Sequence, residues 1–100
     1  MSLGFQVSAA ARKDAADAQR YLEGQTTDAG PRFREELEHC WRHIAQYPHG
    51  FQVRYRQFRF APLDVFPYHV IYSVGQQGVV VHRIRHMHQR PLKRSFGTLR

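Results

Sequence analysis

The chain has 100 residues, a formal charge of +7 and a sequence pI near 10.3, a size suited to one domain with its own core. Its single cysteine, Cys40, excludes an internal disulfide framework and suits a reducing cytoplasm. No apolar run approaches the ~20 residues of a membrane span and the N-terminus lacks a secretion-signal pattern, so a soluble cytoplasmic protein without a membrane partner is expected.

Phe5 and Val7 alternate within Gly4 to Val7, which predicts a short strand, and Ser8 is a fitting N-cap for the helix that follows. Ala11, Ala15, Ala18 and Leu22 give that helix one apolar face, with Gly24 as its stop. A second helix is predicted to start between Asp28 and Pro31 and to end at Pro48-His49-Gly50. Its stripe is Phe33, Leu37, Trp41 and Ile44, with Cys40 beside it as a small buried hydrophobe. Neither stripe can bury itself alone, so the two helices form a hairpin that must cover something else.

The period changes to two after Gly50. Phe51, Val53 and Tyr55 alternate with polar residues, but Phe58 and Phe60 fall in the other phase, which predicts a turn or bulge near Arg56-Gln57. A strand then starts near Pro67, turns at Gly75-Gln76-Gln77-Gly78 and returns from Val79 to His88. The expected fold is α+β: an N-terminal strand and a two-helix hairpin packed on one face of a three- to four-stranded antiparallel sheet. Residues 1–92 make the domain, and 93–100 form a basic tail.

In the penultimate strand Tyr68, Val70, Tyr72 and Val74 form the more apolar face, so His69, Ile71 and Ser73 are expected on the open side. Burying unpaired arginines is costly, which turns Arg83 and Arg85 outward and Val80 and Ile84 inward. That register needs one residue of asymmetry, expected as a glycine bulge at the loop.

Charge is segregated along the chain. Residues 1–49 carry six basic against seven acidic residues, a net of −1, whereas residues 50–100 carry nine basic residues against Asp64 alone, a net of +8. Such a surface attracts phosphates or acidic protein segments. The candidate nucleic-acid or partner-binding residues are Arg54, Arg56, Arg59, Arg83, Arg85, Arg90, Lys93 and Arg94. Cations alternating with rings from Val53 to Phe60 suit single-stranded RNA, but ordinary alternation, rings inward and arginines solvated, gives the same pattern. Arg83, Arg85, His86 and His88 could support proton transfer beside a developing phosphorane charge, or be a solvated basic strand end. His39 and His43 stand one helical turn apart, and His82, His86 and His88 are close in sequence. Neither group has a third ligand type beside it, so no metal and no cofactor is expected.

The order of these segments resembles the RelE/ParE superfamily of toxins from type II toxin–antitoxin systems. The residues that carry the resemblance are the alanine-rich first helix, Phe33-Arg34-Glu35-Glu36-Leu37 down to Tyr47-Pro48, Phe66-Pro67-Tyr68-His69-Val70-Ile71-Tyr72, and the closing His86-Met87-His88-Gln89-Arg90-Pro91. The resemblance implies a toxin neutralised by a small cognate antitoxin that wraps an acidic or amphipathic segment around it. RelE-like members cut messenger RNA on the ribosome without a metal, and ParE-like members poison DNA gyrase. Carried over to a nuclease, the catalytic residues would be His69, Arg85, His86 and His88. Several positions depart from the RelE pattern. His69 stands where an arginine is usual, no tyrosine follows the last strand, no carboxylate supplies a base, and Arg90-Pro91 replaces an aspartate-proline pair. The resemblance therefore implies ParE-like growth inhibition first, with ribosome-dependent RNA cleavage and a non-toxic basic interaction module as alternatives.

Overall fold

The computed structural model describes residues 4–87. The chain runs β1 (Gly4–Val7), α1 (Ala9–Glu23), α2 (Ala29–Gln46), β2 (Val53–Tyr55), β3 (Phe58–Pro62), β4 (Tyr68–Gly75) and β5 (Gly78–His86). The strands form one five-stranded sheet in the order β1-β5-β4-β3-β2. The expected α+β architecture is present, with one refinement. The N-terminal strand joins the sheet, parallel to β5, beside four strands paired antiparallel.

Ser8 explains how β1 hands over to α1. Its backbone N–H donates to the Val81 carbonyl, its hydroxyl donates to the His82 carbonyl at 2.9 Å, and Oγ accepts from the Ala11 N–H at 3.0 Å. One residue thus closes the β1–β5 ladder and caps the helix. Ala11 and Ala18 are buried on the α1 face. The alanines have little bulk to hold the helix away from its neighbours.

Phe33, Leu37, Cys40 and Ile44 line the buried side of α2, while Trp41 is half-buried at its margin against Phe5. Cys40 is buried as expected, whereas Trp41, expected within the stripe, stands at its margin. These side chains meet Ala61, Leu63, Tyr68, Val70, Tyr72, Val79, Val81 and Ile84 from the sheet. The Tyr72 hydroxyl, carried into this core, donates to the Pro48 carbonyl at 2.7 Å. Glu36 secures the β3–β4 connection: its carboxylate accepts from the N–H groups of Asp64, Val65 and Phe66.

The asymmetry expected in the last hairpin exists, but not at the loop. Gly75 pairs with Gly78 around Gln76-Gln77, and the register shift lies between Ile71 and Tyr72, opposite Val81 to Arg83. Two expectations are corrected as a result. Val80 opposes Ser73 on the outer side while Val79 and Val81 enter the core, and His82 is on the outer side rather than with Ile84. Past this bulge Ile84 faces the core, as expected.

The turn expected near Arg56-Gln57 joins β2 to β3, with Arg56 at φ 53. It sends Phe58 and Phe60 to the face away from the helices. There Phe58 and Ile71 are buried in a second, small apolar cluster with Tyr55 and Phe60 packed on it. The reading that placed the rings inward is thus corrected for β3, because the odd turn inverts its phase.

Candidate functional site

Of the proposed site residues, Arg54, His69, Arg83 and Arg85 stand at outer-face positions of the sheet, and the structure sorts them by what they already bind. Arg83 opposes Ile71, yet its guanidinium is held in two bonds by Asp14 of α1, at 2.8 and 3.1 Å. Asp14 Oδ2 also accepts from the Ile84 N–H at 2.9 Å. β1 pairs with β5 only as far as Val81, so beyond it the β5 edge lacks a strand neighbour. A helix carboxylate takes the place of the missing ladder. The pair keeps Arg83 charged more firmly than usual, chiefly through the Asp14 hydrogen bond.

Arg59 is also engaged. Its phase points it to the helix side, where it donates to the Phe51 carbonyl at 2.6 Å and the His49 carbonyl at 3.3 Å. It thus ties the α2–β2 connection to β3. Two of the expected surface cations therefore hold the fold together.

What remains exposed to a partner is a band crossing four strands. Arg85 stands directly opposite His69. The Phe60 ring lies edge-on to the His69 ring at 5.6 Å, and the Arg54 guanidinium lies over Phe60 at 5.3 Å. Burial, and then the Arg54 charge, hold the His69 imidazole below its ordinary value, which favours its neutral form. Burial and the neighbouring Arg83 charge also lower Arg85. Arg56 sits outside this band, over Tyr55 at 5.2 Å.

The histidines do not converge. His82 contacts Ser73 Oγ through Nε2 at 2.8 Å, and its ring meets Phe58 edge-on. His86 packs on Tyr68 at 5.1 Å, on the helix side. His88, Arg90, Lys93, Arg94 and the 93–100 tail lie outside the described residues. No strand carries a carboxylate. Among the described residues no group of three or more His, Cys, Asp or Glu is placed to hold a metal. No helix among them is long and apolar enough to cross a membrane.

Sequence reading passed over Asp14 and Glu36. Each had a signal: Asp14 sits beside the Ala11, Ala15 and Ala18 stripe, and Glu36 sits beside the Phe33, Leu37 and Cys40 stripe. A carboxylate at the margin of a buried helix face must find a partner.

The family described as "ParE toxin of type II toxin-antitoxin system, parDE" matches residues 5–91, which spans both helices and all five strands. The chain belongs to the ParE toxin family. Its role as a toxin component follows from that membership. A solved structure, "Chromosomal ParDE TA system from P. aeruginosa", shares the fold with a TM-score of 0.72. The two are 11% identical, and the match covers 85% of this chain and 96% of that one. No curated protein matches the chain. The RelE/ParE resemblance thus resolves to its ParE side at the level of family.

Proposed function

We propose that this ParE-family chain inhibits growth by acting on DNA gyrase and that a cognate antitoxin, made beside it, neutralises it in the cytoplasm. Residues 1–92 would be the toxin domain and 93–100 its basic tail. A role in plasmid stabilisation follows from such a pair. One observation carries the preference for gyrase over RNA cleavage: among the described residues, the side chains for acid–base work on RNA are not assembled on the outer face. A metal-free ribonuclease needs a base and an acid within reach of one phosphate. Here the charged groups set near His69 among the described residues are Arg85 and Arg54, Arg83 is held by Asp14, and His86 lies on the helix side. Antitoxin binding is supported by an open groove between β1 and the helices. Phe5, Val7, Ala15, Leu37 and Trp41 line it, with Arg12 and Arg34 at its rim, a surface that suits an amphipathic acidic segment.

A RelE-like activity is the second reading, favoured by the direct His69–Arg85 pair. Induced expression with parallel readouts separates the two. Inhibited supercoiling and DNA damage with intact messenger RNA is the expected result. Ribosome-dependent cleavage that disappears in Arg85→Ala or His88→Ala would replace it with the nuclease. Normal growth at high expression would remove both readings and leave a non-toxic basic module.

A further inference from the structure

The outer face contains buried polar atoms that the fold leaves without hydrogen-bond partners among the described residues. His69 Nδ1 and Arg85 Nε are buried and have no hydrogen-bond partner among the described residues. They belong to residues that stand opposite each other on β4 and β5. Orphaned buried polar atoms are uncommon in folded proteins, and they often mark where a missing group completes the bonding. Arg54 reaches the same band from β2, lying over the Phe60 ring that borders His69. No strand supplies a carboxylate to balance these charges.

We propose that Arg85, His69 and Arg54 form a carboxylate-binding site, occupied by an acidic segment of a protein partner. The guanidinium fork of Arg85 matches the planar carboxylate, which supplies the acceptor that Nε lacks, and Arg54 adds a second cation across Phe60. A nucleic acid fits this face less well, for two reasons. Base stacking needs free ring faces. Here Phe58 is 2% exposed, and Phe60 already lies between Arg54 and His69. Backbone binding gains affinity with each phosphate neutralised, but Arg59 and Arg83 are committed to Phe51, His49 and Asp14. What is left is a short cationic spot, not a track. That the segment belongs to the antitoxin rests on the toxin reading above; the carboxylate site itself does not.

The test uses the full chain and a fluorescein-labelled hexaglutamate peptide, followed by anisotropy at low and moderate salt. Binding is expected to weaken about tenfold or more in Arg54→Gln/Arg85→Gln, and little in Arg42→Gln, which removes an exposed charge from α2. On the unaltered protein, the His69 imidazole titration followed by NMR is expected to move upward when the peptide is added. That second readout stands even if the double variant fails to fold. Unchanged peptide binding in a folded double variant overturns the site, as does a His69 titration that the peptide leaves in place. Tighter binding of single-stranded RNA or duplex DNA, lost in the same variant, assigns the face to nucleic acid instead. The assay contains neither gyrase nor ribosome, so a non-toxic chain can still bind the peptide. A toxic chain that does not bind it refutes this site alone.

Discussion

At the scale of single residues, the Asp14–Arg83 contact combines an ion pair with a backbone cap. Both side chains are largely buried, at 20% exposure for Arg83 and 15% for Asp14. Removing one partner leaves a buried charge and an unmade bond to the Ile84 N–H. Asp14→Ala is therefore expected to cost about 2–4 kcal/mol by urea denaturation, with Asp14→Asn milder because it keeps an acceptor. The surface pairs Lys13–Asp17 and Arg20–Asp17 are far more exposed and should contribute little. His82 and His69 make a pH prediction. Burial lowers both below 6.5, with the Arg54 charge adding to the shift at His69. The unfolded chain thus binds these protons first, near 6.5, and stability is full above that pH. It is lost as pH falls through the lower folded values, so the urea midpoint should drop between pH 7.5 and 5.5. His82→Asn, which keeps a polar partner for Ser73, should flatten that slope; an equally steep profile would remove His82 from the account.

At the scale of elements, the β1–β5 pairing depends on Gly78. It sits at φ 121, and a Cβ there would collide with the Gly4 backbone. Gly78→Ala combines this clash with a conformation that side chains rarely adopt. A loss of roughly 2 kcal/mol or more is expected, with faster amide exchange in β1 than in β3. If β1 exchange stays unchanged, the close approach is not what seats the strand. The same reasoning makes Ser8 more than a helix cap, since its hydroxyl and N–H bind two successive carbonyls of β5. Elements adjacent in sequence, β1 and α1, are held in place by a strand at the other end of the domain.

At the scale of the whole molecule, Cys40 reports on the integrity of the core. Burial, with the charges of Glu36 and Asp64 adding to it, pushes its thiol up to about 12. Thiol labelling at pH 8 should thus be slow in buffer and accelerate sharply across the urea transition. Fast labelling in buffer would mean that α2 detaches without global unfolding. Much of the architecture was already legible in local sequence. The periods of the two helices, Ser8 as N-cap, the turn at Arg56-Gln57 and the inward row of Tyr68, Val70 and Tyr72 each follow from residues within one or two turns of one another. The fate of the basic half was not legible in this way. Arg83 is neutralised by a carboxylate 69 residues away, and nothing near it in the chain announces that. The bulge within Val81 to Arg83, opposite Ile71 and Tyr72, inverts Val80 without a glycine to mark it. Periodicity is a local property of the backbone, so the sequence alone determined the elements and the buried side of each helix. Register and charge pairing are long-range properties: the sequence already turned His69 and Arg85 outward, and only the tertiary structure decided that Arg59 and Arg83 serve the fold and that Arg54 joins His69 and Arg85 in one band.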